Sequence, residues 1–323
     1  IIQSPVLRVR LNNETFDFKS TKTLQTQNKQ RVWLGATDNK ENLSLIQSEY
    51  GLSGHIRAQG KVWNLRKYGQ DDYFFVQNKD IPELEQNDDV AALEAYQPSS
   101  NDNSAALTFE RHSAMGFQDT NEIKILVYYS QYAKSQYPNI EDLIALEFED
   151  TNAALAASNI DATVTAVALV EIEDSQQDDN LFDMREHLGA YQTLPSLRNK
   201  YAADLVHFFG SRIGFVCGKA WYAANRSGWS EDEYGYGVTS MNCFGNMTFA
   251  HEIGHNLGAK HDRYVEAGGD DYFNYGYSDV DNAFRTIMSY TNECSENGVN
   301  CNRINFFSNP DVLYAGEHPV GTA

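Results

Sequence analysis

Met247-Thr248-Phe249-Ala250-His251-Glu252-Ile253-Gly254-His255-Asn256-Leu257-Gly258-Ala259-Lys260-His261-Asp262 is the most informative stretch of the chain. Asn246 or Thr248 can cap a helix start, and Phe249, Ile253 and Leu257 recur every four residues as an apolar stripe. His251 lies about 200° round the helix from Ile253, so one face packs on a core while the other offers His251 and His255 to a cleft. Two imidazoles one turn apart can share a zinc ion. Glu252, about 100° from His251, can reach a water at the metal as a general base without being a ligand. Gly258 can adopt φ > 0, end the helix and turn the chain so that His261 returns as third ligand. Three protein ligands leave a position open, the mark of a catalytic rather than a structural zinc.

Chance does not produce this often. With 8 His in 323 residues, an H-E-x-x-H should arise in roughly one chain in a hundred, and with the further Gly and His in roughly two in a hundred thousand. The other histidines, His55, His112, His187, His207 and His318, are scattered and read as structural or solvent-exposed.

The stretch resembles the extended zinc motif of the metzincin metallopeptidases, and Asp262 after the third histidine is similar to the reprolysin (adamalysin-like) branch, including its bacterial secreted members. Thr286-Ile287-Met288-Ser289-Tyr290 resembles the methionine turn of that family. The resemblance implies Met288 as a hydrophobic floor beneath the imidazoles, Tyr290 as an oxyanion stabiliser and Asp262 as a carboxylate supporting the ligands. It also implies that Cys217-Gly218-Lys219-Ala220-Trp221-Tyr222 is the sheet edge that pairs with an extended substrate. Some bacterial enzymes with similar motifs prefer an acidic residue after the scissile bond, for which Arg285 and Arg303 are the candidate cations. The cysteines that follow the zinc motif in vertebrate reprolysins are not reproduced.

The fold class expected is α+β or α/β. A mostly parallel, mixed, twisted sheet carries the active-site helix and a C-terminal subdomain, behind a smaller β-rich N-terminal domain. Ile123–Tyr129 and Leu205–Phe209 read as strands, and Ala162–Ile172 as a strand buried on both faces. Asn139 can cap a helix carrying Ile140, Leu143, Ile144, Phe148 and Leu155. Residues 1–97 hold strand-like runs at Val32–Leu34 and Tyr73–Val76, with no catalytic constellation. Residues 98–120 read as a linker, and 121–323 as the catalytic domain.

Composition sets outer limits. Hydrophobic residues make up 41% and charged residues 22%, which excludes wholesale disorder. The net charge of −20 argues against nucleic acid, which needs a cationic surface. Residues 1–79 carry 12 cationic and 7 acidic side chains, whereas 98–323 carry 13 and 32. That complementarity suits an N-terminal pro-domain that inhibits the body. No cysteine precedes Cys217, so a cysteine switch is excluded. No run approaches the ~18 apolar residues of a membrane span, and Ile1–Pro5 is no signal peptide, so the chain is cytoplasmic or its signal has been removed.

The four cysteines are read as disulfides of a secreted protein, Cys217–Cys243 and Cys294–Cys301 on local spacing, the first closing a loop worth on the order of 3–4 kcal/mol. The run Gly268–Asp281 is acidic and aromatic but lacks the spacing of an EF-hand loop, so it reads as a solvated loop, with calcium as the alternative. The function expected is zinc-dependent hydrolysis of peptide bonds in proteins, by a zinc-activated water with Glu252 as base. The rivals are a catalytically silent binding module and a metal-dependent hydrolase of non-peptide substrates.

Overall fold

A computed structural model describes residues 2–26, 29–68, 72–79, 121–172, 194–211, 216–222, 235–266 and 274–322. The linker 98–120, His112, His187 and the first part of the run from Gly268 lie outside them.

The first seven strands, β1 (Val6–Leu11), β2 (Glu14–Gln25), β3 (Arg31–Ala36), β4 (Asn42–Ser48), β5 (Gly51–Ala58), β6 (Lys61–Tyr68) and β7 (Asp72–Gln77), form an antiparallel meander in chain order. Its outer strands alternate in burial, but β3–β5 are covered on both faces. Successive side chains point to opposite faces, so Trp33, Leu43, Leu45 and Ile56 enter the sheet's own core while Val32, Leu34 and Ile46 join the core of the following body. Ser44, His55 and Arg57 take the same body-facing side.

That body is built on a five-stranded sheet. Strands β8 (Glu122–Ser130), β9 (Thr163–Ile172), β10 (Leu205–Gly210) and β12 (Tyr236–Ser240) run parallel, and β11 (Gly218–Ala220) lies antiparallel on β12, in the order β11-β12-β10-β8-β9. The helix Ile140–Ala157 packs beneath it through Ile140, Leu143, Ile144, Phe148 and Leu155. The helix Thr248–Asn256 enters the same core, where the Phe148 and Phe249 rings lie 4.7 Å apart. Short ladders between residues 275 and 319 complete the chain. Cys217 is bonded to Cys243, and Cys294 to Cys301. Among the described residues no helix is long and apolar enough to cross a membrane.

Four local expectations are corrected. β9 is an edge strand with Val164 as its buried hydrophobic residue and Leu169 exposed, because among the described residues only β8 pairs with it. Asn139 sits at the N-cap without a side-chain capping bond, because its backbone (φ −99°, ψ +26°) lacks the extended geometry of a capping residue, and its amide Nδ2 donates to Ser53 Oγ in β5. The histidine helix is capped by neither Asn246 nor Thr248. Its N-cap is Met247, buried and left-handed at φ +62°. Finally, Leu257 is 50% exposed, so the buried stripe stops at Ile253, one turn before the chain leaves the helix.

Candidate metal centre

His251 and His255 project from one helix, and His261 comes from the strand Lys260–Asp262 that follows the turn at Gly258, φ +90°. All three are buried. His255 Nε2 lies 3.1 Å from His251 Nε2 and 3.0 Å from His261 Nε2. Each Nδ1 is separately held: His251 donates to Ile287 O at 2.9 Å, His255 to Ala259 O at 2.8 Å, and His261 is 2.7 Å from Glu266 Oε1. With a proton on every Nδ1, three Nε2 lone pairs converge on one point. Burial and the neighbouring imidazoles hold His251 well below the ordinary histidine range and push His255 down to about 3. Protons therefore do not relieve that crowding. A cation does, and ligands at about 2.1 Å in a tetrahedron stand about 3.4 Å apart, close to the separations seen. Among the described residues this is the one group of three or more His, Cys, Asp or Glu side chains placed closely enough to hold a metal ion between them.

Glu252, fully buried, leaves the same helix toward the sheet edge, where its carboxylate packs against the backbone of Gly218 in β11. Asn256 fastens the helix to that edge, donating to Trp221 O at 2.9 Å and Tyr236 O at 3.0 Å. The Cys217–Cys243 bond joins the residue before β11 to the turn before the helix.

Met288 packs directly on the histidine helix. A Cβ on Gly254 would come within 2.4 Å of its Sδ, so only glycine permits this approach. Tyr290 lies with its ring centroid 4.1 Å from that of His261 and 6.1 Å from that of His251. Asp262 ties the two segments together: Oδ2 accepts from Tyr290 N at 2.8 Å and Ser289 Oγ at 3.2 Å, and Oδ1 from Tyr264 N at 3.0 Å. Arg285 and Arg303 both donate to Ser289 O, and Arg303 also to Asn246 O. His55 and His207 are buried away from the triad, His207 against Thr239 and Phe249.

Five residues around the triad escape, wholly or nearly, a reading of the sequence in the contacts they make. Gly218 and Asn256 belong to no spacing rule, and the Ile287 and Ala259 carbonyls are invisible to side-chain patterns. Glu266 had a faint signal, since a ligand imidazole needs a partner on its other nitrogen and Glu266 is the next carboxylate after Asp262.

Residues 119–307 match the Reprolysin_5 family model, described as metallo-peptidase family M12. The chain belongs to that family. The metallopeptidase is 25% identical over 307 residues to a peptidyl-Asp metalloendopeptidase of Stenotrophomonas maltophilia (strain K279a), covering 90% of this chain and 67% of that protein. It is equally 25% identical over 305 residues to a protein of the same description from Xanthomonas campestris pv. campestris, with the same 90% and 67% coverage. Metalloproteinase-II from Bacteroides fragilis, a solved structure, aligns with a TM-score of 0.47 at 13% identity, covering 80% of this chain and 81% of that one. The chain is thus a metalloendopeptidase, and membership of the family implies a metal, which the histidine triad fits.

Proposed function

We propose that this metallopeptidase is a secreted zinc endopeptidase in which His251, His255 and His261 hold the metal and Glu252 is the general base. The observation that carries this is the convergence of three Nε2 atoms whose Nδ1 partners are already fixed. Zinc bound there would supply Lewis acidity, polarising a carbonyl and lowering the pKa of water. The chain's own residues do the rest. The Glu252 carboxylate accepts the proton of the attacking water and delivers it to the departing amine nitrogen. The Tyr290 hydroxyl donates to the oxyanion, while β11 pairs with the extended peptide and aligns its scissile bond. Met288 and Asp262 keep the methionine turn seated under the helix.

Arg285 and Arg303 flank Ser289, next to the turn, and supply the cations that an acidic side chain following the scissile bond requires. The relatives' name, peptidyl-Asp metalloendopeptidase, supports that preference. Glu252→Gln is expected to bind zinc at parental stoichiometry and lose nearly all turnover on a peptide library, while the parent enriches cleavage before Asp or Glu and is silenced by chelation. Normal proteolysis by the variant would remove the base assignment. Flat preference would remove the arginine pocket.

Residues 1–97 are the pro-domain in this reading, 98–120 the linker and 121–323 the catalytic domain. The hydrogen bonds that the described N-terminal residues make to the body fall on the helix Ile140–Ala157, the segment 242–246 and the chain's C-terminal part rather than on the triad. That supports a bracing role alongside inhibition. A form starting near residue 115 should cleave faster than the full chain, and equal rates in a steady-state peptide assay would eliminate inhibition.

A further inference from the structure

The three imidazoles differ in what holds them. His251 and His255 rest on the main-chain carbonyls of Ile287 and Ala259. His261 instead faces a side chain, with Glu266 Oε1 at 2.7 Å from its Nδ1 and 3.2 Å from its own backbone N. The turn that brings Glu266 back is closed by Val265 N and Glu266 N, both donating to Asp262 O. One carboxylate oxygen therefore grips ring and main chain of the same residue. His261 is also the ligand with least support from its own element, since it sits on a three-residue strand rather than on the helix.

We propose that Glu266 is the positioning residue of the metal centre, orienting the His261 ring and strengthening Nε2 as a donor through a charged hydrogen bond to Nδ1. This rests on the reading of the triad as a zinc site. A carboxylate on the far nitrogen fixes the tautomer, raises ligand basicity and adds a negative charge beside a dication. Because the other two partners are backbone, Glu266 is the point at which a substitution can tune the site without touching a ligand.

The test is zinc affinity of the full chain, by competition with a chromophoric chelator, for the parent, Glu266→Gln and Glu266→Ala. Glu266→Ala should bind zinc about 10–100-fold more weakly. Glu266→Gln, which still accepts the bond but carries no charge, should fall between. The visible spectrum of cobalt-substituted Glu266→Ala should shift, while the Tm of the metal-free protein stays at the parental value. Parental affinity in Glu266→Ala overturns the inference. So does a loss of affinity matched by a fall in metal-free Tm with an unchanged cobalt spectrum, because that describes a scaffold residue. A parent that binds no zinc overturns the zinc reading itself, and this inference with it.

Discussion

A methyl group placed on Gly218 would lie 2.5 Å from Glu252 Oε1, 2.7 Å from Thr248 Cγ2 and 2.8 Å from Glu252 Cγ. The residue is therefore glycine because the Glu252 and Thr248 side chains occupy the space a Cβ would need. Backbone conformation plays no part, since its φ is not in the left-handed region. Two of the three atoms belong to Glu252, and its carboxylate is the far end of the longer side chain, so Gly218→Ala displaces the proposed base and leaves the three histidines in place. A misplacement of about 1 Å at a reacting group costs on the order of 100-fold in rate. We expect kcat to drop by one to two orders of magnitude, with zinc affinity within a factor of two of the parent. Stopped-time peptide assays together with chelator competition check both halves. Unchanged kcat would mean that the contact does not set the position of Glu252.

At the scale of elements, legibility follows how local the cause is. The spacing of His251, Glu252, His255, Gly258 and His261 reads directly, because one helix and one turn dictate where those side chains go. Strands β8 and β10 read from apolar, β-branched and aromatic runs buried in the middle of a sheet. The same kind of run misleads at β9, where neighbours rather than composition decide burial, and the strand lies at the edge. The helix start misleads for a related reason. Met247 takes φ +62° at the N-cap because its side chain is wanted in the core, where it lies 1% exposed, and tertiary packing outweighs capping chemistry. Val32-Trp33-Leu34 looks like a short strand, and it is one. What no local pattern reveals is that its two faces serve two different cores. Asn139 shows the same limit from the polar side, its amide spent on a residue 86 positions away.

At the scale of the whole molecule, the N-terminal sheet meets the body through buried charge. Asp150 accepts from Ser44 Oγ and Arg57 Nη1 and lies 2.8 Å from His55 Nε2, while Arg57 also donates to Gly245 O, two residues before the histidine helix is capped. Gly245, at φ +86°, admits the His55 ring where a Cβ would come within 2.7 Å of it. Burial alone would raise Asp150, but Arg57 and His55 outweigh it and hold the carboxyl below the usual carboxylate range. Glu147, one turn earlier on the same helix, goes the other way. Burial, with the charge of Asp150, raises it to about 7 against the bond from Gly245 N and the attraction of Arg57. A raised carboxyl favours the fold fully below its unfolded value of 4.5 and loses that contribution as pH climbs to about 7. Asp150 and His55, both lowered, act in the opposite sense and lose their contributions as pH falls. Glu147→Gln keeps an acceptor for Gly245 N and removes only the titration. Its stability should match the parent at pH 4 and exceed it by about 2–3 kcal/mol above pH 7. Urea denaturation of both full chains at pH 4 and pH 8 measures the difference. An offset of the same size at both values would show that Glu147 does not change its proton affinity on folding, and that the joint between sheet and body is indifferent to pH at this residue.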